Sequence, residues 1–263
     1  AAAFAALFCS TMALAAYPER PVRIIVPYPP GGNIDITART ISPGLSEALG
    51  VQVVIDNRGG AGGTIGSEMA AKAPPDGYTM LMGSTGTLAT SPALYPKANI
   101  DPLKDYAYTS LVSVVPLVAI VHPALRARTL KEFIALAKSR PGTLTMSSSV
   151  TYIKAGKVRA LGVSTLKRSS VLPEAPTFDE SGLKGFESST STGIALPAAT
   201  PKDIVSKVHG ALLKVLRTPA TREAFARIGA DVIESTPEEF DKLMRTEIAK
   251  WSKVIKDADI KVE

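Results

Sequence analysis

An α/β fold is the expectation for this chain, and three observations carry it. An apolar run (Val22, Ile24, Ile25, Val26) stops at prolines and glycines and leads directly into an amphipathic helical stretch. The pattern repeats further on, where Val51–Ile55 empties into GGAGGTIG (59–66) and then a second helix. The last third of the chain holds two long helical stripes with marked starts. At 263 residues, with 45% apolar and 21% charged residues, the chain has room for two lobes or one large α/β domain.

The first stretch, Ala1–Ala16, has the apolar core and small-x-small end (Ala13, Leu14, Ala15) of a secretory signal peptide, with cutting expected before Ala16. It has no charged leading region or initiator Met, so the sequence reads as trimmed at its start. The only cysteine, Cys9, falls inside it, so the mature chain needs no disulfide. No other stretch is long and apolar enough for a membrane span. The net charge of +6 suits anionic ligands. Its cations are spread along the chain, without the basic-aromatic blocks of a nucleic-acid surface.

Val22 to Val26 is read as a buried strand ending at Pro27. Pro29, Pro30, Gly31 and Gly32 break the chain, and Asn33 is expected to cap a helix over Ile34–Leu49 that Gly50 stops. A strand, a glycine turn and a helix N-terminus present free N–H groups and a positive dipole end, which suits a carboxylate. The second glycine loop, expected to lead into a helix from about Ser67 to Lys72, invites a nucleotide, but its spacing fails. Counting from Gly60 and Gly62, a dinucleotide fingerprint needs glycine where Ile65 stands, and Gly66 is followed by Ser67 and Glu68 instead of Lys-Ser/Thr. No cofactor is therefore expected. A third strand, Tyr78–Met82, ends in Gly83-Ser84-Thr85-Gly86-Thr87, whose hydroxyls either reach the same anion or satisfy their own loop. Open α/β sheets bind ligands beyond their strand C-termini, so the three loops form one candidate edge.

Tyr108–Val121 is read as a long β-rich run crossing between lobes, with His122 a strand-end residue. Thr129-Leu130-Lys131-Glu132 is a capping box opening a helix to Ser139. Strands are expected at Leu144–Met146, ending in Ser147-Ser148-Ser149, and at Val158–Ser164, with a short apolar strand at Gly193–Leu196. Thr200-Pro201-Lys202-Asp203 and Thr236-Pro237-Glu238-Glu239 each pair an N-cap Thr with Pro at the first helical position. Ile204, Val205, Val208, Leu212, Leu213 and Leu216 mark the inner face of the first of these helices. Phe240, Leu243, Met244, Ile248, Trp251 and Ile255 mark that of the second. The two histidines, His122 and His209, are not spaced as metal ligands.

With YPERPVRIIVPYPPGGNIDITAR, VIDNRGGAGGTIG, PPDGYTML, IKAGKVRALGVST, LPEAPTFDESG, LPAATP and STPEEF in this order, the chain resembles the substrate-binding components of tripartite tricarboxylate transporters, also called Bug receptors. The resemblance runs from about Tyr17 to the C-terminus. It implies a two-lobed, type II periplasmic-binding-protein fold that captures a small organic acid or amino acid in the periplasm and hands it to a membrane permease. It places the ligand site on Tyr28, Pro30, Gly31, Gly32, Asn33 and Asp35, on Gly62, Gly63, Thr64, Ile65 and Gly66, and near Ser84, Thr85 and Thr87. Ser147 and Ser148 stand at a strand end on the second lobe. Gly31, Gly32, Asn33, Thr64 and Gly66 are the expected anion donors. Asp35 either fixes the loop, meets an amine or hydroxyl of the ligand, or complements the helix dipole.

Against the family pattern, about 60 residues, the size of two strand–helix units, are missing between Ser149 and the IKAGKVRAL segment. Ser191 also stands where the family carries a Trp. The expected organisation is a signal peptide over 1–16, lobe 1 from 17–121 with 195–263, and a shortened lobe 2 over 122–194, with hinge strands near 111–121 and 193–197. A non-binding remnant or docking partner, and less so a nucleotide-dependent α/β enzyme, are the alternatives to a receptor.

Overall fold

The computed structural model describes residues 17–96, 98–140, 158–169 and 172–260. The signal peptide with Cys9, the strand expected at Leu144–Met146, and Ser147 and Ser148 lie outside the described residues.

Most of the molecule is built on a six-stranded sheet. In chain order its strands are β1 (Val22–Val26), β2 (Val53–Asn57), β3 (Thr79–Ser84), β4 (Tyr106–Pro116), β7 (Ser189–Pro197) and β8 (Asp231–Val232). A separate two-stranded ladder pairs β5 (Val118–Val121) with β6 (Arg159–Val163), antiparallel. The large sheet runs in the order β2-β1-β3-β7-β4-β8; the first three strands are parallel and the other pairings antiparallel. The helices are α1 (Asn33–Leu49), α2 (Thr64–Ala71), α3 (Ser91–Leu94), α4 (Leu130–Ser139), α5 (Lys202–Leu216), α6 (Pro219–Arg227) and α7 (Pro237–Asp257).

Both faces of the large sheet are buried, and the period-2 alternation of its strands divides the side chains between two cores. Ile24, Met80, Met82, Ile194 and Leu196 pack under α1, α5 and α6, with Ile41, Leu45, Leu212 and Phe225. Ile25, Leu81 and Ala195 point the other way, toward Leu88 and the α7 residues Phe240 and Met244. Gly193 is required by close packing: a Cβ there would lie 2.4 Å from the Phe240 ring and 2.6 Å from the Ser110 carbonyl oxygen. Among the described residues no helix is long and apolar enough to cross a membrane.

Several element ends differ from expectation. Asn33 does not cap α1. Gly32 is the N-cap, no side chain bonds there, and Asn33 is the first helical residue. The helix after the second glycine loop starts at Thr64, three residues earlier than Ser67. Thr200 does not cap α5, because its hydroxyl donates to the Pro197 carbonyl oxygen at 2.7 Å and Pro201 holds the cap position. Thr129 does cap α4, but the Glu132 carboxylate accepts from Arg128 N–H instead of closing the box on Thr129. The Thr236 box is complete. The crossing run is interrupted at Leu117, which separates β4 from β5. The Gly193–Leu196 strand is longer than expected, because pairing with both β3 and β4 extends it to Ser189–Pro197.

Ser164 ties the crossings together. Its hydroxyl accepts from Leu117 N–H at 3.0 Å and donates to the Ser188 carbonyl oxygen, while its own carbonyl accepts from Ser188 N–H at 3.0 Å.

Candidate functional site

The parallel order β2-β1-β3 brings three strand C-termini to one edge, and the three loops leaving them pack on one another. A Cβ on Gly59 would lie 3.2 Å from Pro29, and one on Gly66 would lie 2.5 Å from the Arg58 carbonyl oxygen and 2.9 Å from Pro27 Cα. Gly63 (φ +92°) sits where a Cβ would meet the Thr87 methyl at 2.4 Å and the Pro27 carbonyl oxygen at 3.2 Å. The glycines of the second loop thus let all three loops close to backbone contact.

Asp35 holds the first loop in shape. Its carboxylate is buried, accepts from Gly31 N–H at 2.8 Å and from Asn57 Nδ2 at 2.9 Å, and pairs with Arg39 Nε at 2.9 Å. Asn57 also donates to the Tyr28 carbonyl oxygen at 3.0 Å, and Arg39 Nη2 donates to Asn57 Oδ1 at 3.1 Å. Burial opposes ionisation of Asp35, but these hydrogen bonds and the Arg39 charge outweigh it and hold its pKa down at about 2. Of the three roles open to Asp35, fixing the loop is the one these contacts describe. Gly31 N–H is committed to it and is not a free anion donor. Arg39 and Asn57 escaped the sequence reading. The Asp35–Arg39 spacing of four on a helix was a signal for the first, whereas Asn57 is visible only through its register opposite Val26.

The hydroxyls of the third loop are largely spent within the protein. Ser84 N–H donates to Thr87 Oγ1 at 3.0 Å, Thr87 N–H to Ser84 Oγ at 3.2 Å, and Thr85 Oγ1 to the Ser189 carbonyl oxygen at 3.3 Å. Burial pushes the Tyr28 phenol above its ordinary value, against a hydrogen bond with Ser84 that lowers it, so it stays a neutral O–H. A Cβ on Gly86 would be 3.2 Å from that phenol oxygen, which places Tyr28 across the first and third loops.

Thr64 differs from these. It opens α2 at the meeting of the loops and is 5% exposed, and its Oγ1 has no hydrogen-bond partner among the described residues. Beside it, Ile65 is 52% exposed and presents an apolar surface. Gly62 lies against Tyr95, and its carbonyl accepts from Ser91 Oγ at 2.7 Å. Pro30 and Gly32 are exposed at the rim and Asn33 is half-buried. Ser191 is buried in β7. Among the described residues no group of three His, Cys, Asp or Glu side chains is placed to hold a metal ion. A groove of about 660 Å³ along the C-terminal half of α1, lined by Pro43, Glu47 and Lys214 among others, includes none of these loop residues.

Comparison with known proteins places this architecture. A protein from Pseudomonas sp. (strain P51), named "UPF0065 protein in tcbD-tcbE intergenic region", is 34% identical over 294 residues, covering 92% of this chain and 87% of its own length. The structure of MatC from Rhodopseudomonas palustris with bound malate aligns with a TM-score of 0.83 at 27% identity, over 91% of this chain and all of that one. The structure of R. palustris Rpa4515 with adipate aligns with a TM-score of 0.85 at 28% identity, over 93% of this chain and 99% of that one. The type II, two-lobed fold is that of these binding proteins. The family described as "Tripartite tricarboxylate transporter family receptor" matches residues 37–150 and 143–260, and this chain belongs to it.

Proposed function

We propose that the chain is a periplasmic, non-enzymatic receptor that holds one carboxylate of a small dicarboxylic acid at the junction of its three loops and passes it to the permease of its transporter. The carrying observation is Thr64, a buried hydroxyl without a protein partner in the first turn of α2. A buried hydroxyl left unpaired costs about 1–3 kcal/mol, which a carboxylate oxygen accepting from it recovers. The positive end of α2 adds to the attraction. The donors on this edge are Thr64 Oγ1, Tyr28 O–H and the first-turn N–H groups of α1 and α2. Gly32, Asn33 and Gly66 contribute through those turns, while Gly62 and Gly63 shape the loop. Ile65 offers its exposed face to the carbon chain of the ligand, and Pro30 forms the rim. Ser147 and Ser148, outside the described residues, are included in the proposed site on the family resemblance. That malate and adipate sit in two structurally similar proteins supports a dicarboxylate.

In this reading lobe 1 is 17–121 with 195–263, and lobe 2 is 122–194. Since β4 and β7 belong to the large sheet along their whole length, the crossings are better drawn at Leu117 and Ser188. An internal shortening of lobe 2 is supported by the family match, which comes in two pieces meeting at 143–150. It is also supported by an alignment running over 294 residues, although this chain has 263.

Isothermal titration with succinate, malate and adipate, on wild-type protein and Thr64→Val, tests the proposal. The expected result is binding of at least one acid that weakens 10- to 100-fold in Thr64→Val, with thermal stability unchanged or raised. Binding indifferent to Thr64→Val would remove the assigned contact. No heat with any acid would leave the docking or remnant reading in its place.

A further inference from the structure

We infer that the outer tip of the second lobe carries an oxyanion pocket unrelated to the loop cleft. The β5–β6 ladder starts beside the crossings, at Leu117 and Ser164, and runs outward to the Val121–Arg159 pair. At that far end the turn after β5 folds back over β6, and Arg126, Arg128 and Arg159 line one cavity of about 270 Å³ with Glu132. Arg159 is half-buried and held by its Nη1, which donates to the Ala127 carbonyl oxygen at 3.2 Å, so that one end of the guanidinium is fixed. Among the described residues none of the three guanidinium groups has a carboxylate ion-pair partner. Glu132, the one acid in the cavity, already accepts the Arg128 N–H at 2.7 Å.

Three guanidinium groups against one carboxylate leave an excess of two positive charges. Guanidinium donors are arranged as forks that match the paired oxygens of an oxyanion. The cavity is smaller than the roughly 300–1,000 Å³ of pockets that enclose extended organic ligands. The ligand class is therefore a compact, multiply charged oxyanion, with inorganic phosphate as its simplest member. Ile65, Thr64 and Asp35 have no part in it.

Titration of the mature protein with inorganic phosphate at low ionic strength tests this. Binding should weaken at least tenfold in Arg126→Ala/Arg128→Ala, and also when salt is raised to physiological strength, because exposed charges are screened within about 8 Å there. Thr64→Val should leave phosphate binding unchanged, and the double variant should leave dicarboxylate binding unchanged, so the failure of either site is read separately. In the wild-type protein, arginine Nε–Hε resonances should move on phosphate addition, a readout that needs no variant to fold. Absent phosphate binding, or binding equal in the double variant, overturns the inference.

Discussion

In the six-stranded sheet the central strands are covered on both faces, and Ile24, Ile25, Met80, Leu81 and Met82 are completely buried. Among the described residues, the buried cluster between the β5–β6 ladder and α4 holds Val121, Leu130 and Leu161, with Phe133, Ile134 and Phe178 only partly covered, and Val163 is buried on β6. The two regions share the same residue types, but among the described residues they differ in how many layers surround them. A two-stranded ladder is marginal by itself, and this one is held by α4, the turns around Phe178 and its tie to the large sheet at Ser164. Loops on a well-packed sheet can pre-form a ligand site, whereas the described part of the β5–β6 ladder buries few apolar side chains of its own.

The largest expected effect contrasts the two cores. Phe240 is buried against Tyr108 at 4.7 Å between ring centroids and covers Gly193, so Phe240→Ala should cost about 3–5 kcal/mol in urea unfolding. Leu161→Ala should leave the main urea transition nearly in place and speed amide exchange of β5 and β6 selectively. Equal shifts of a single transition would show that the regions unfold as one unit and break the comparison.

Next is the loop side of the cleft. Because the Asp35 carboxyl is held at about 2 against an ordinary 3.8, the stability it contributes is complete above pH 3.8 and is lost as pH falls through about 2. Asp35→Asn should therefore cost about 2 kcal/mol at pH 7, and its deficit against wild type should shrink steadily below pH 4. A deficit independent of pH down to 2 would assign the loss to packing instead of charge.

A smaller effect is expected where the two regions meet. Ser164→Ala removes a hydroxyl that bridges the N–H of exposed Leu117 and the carbonyl of buried Ser188. A loss of about 1–2 kcal/mol is expected, with faster exchange confined to β5, β6 and the turn around 188. Protection unchanged in the ladder would show that α4 and the turns around Phe178 hold it in place without the Ser164 hydroxyl.

The strands β1, β2, β3 and β6, the glycine loops, the complete Thr236 cap and the inner stripes of α5 and α7 were legible in the sequence because each rests on local chemistry: alternation, helical spacing, breakers and capping residues. Chain order and motif content also pointed to the family. Helix starts were less legible. Thr200 fails to cap because the Pro197 carbonyl at the end of β7 takes its hydroxyl, and Asn33 because the helix begins one residue earlier, with Gly32 at its N-cap. The hydrogen-bonded network of Asp35, Arg39 and Asn57 joins α1 to the end of β2, and the register of β1 against β2 brings them together. The three third-loop hydroxyls were ambiguous in sequence, since each is equally suited to a ligand or to its own backbone. Folding decided for them: Ser84, Thr85 and Thr87 found protein partners, whereas Thr64 of the second loop has none among the described residues. Sequence determines which groups are able to donate; the packing of three loops at one sheet edge determines which of them remains free to do so.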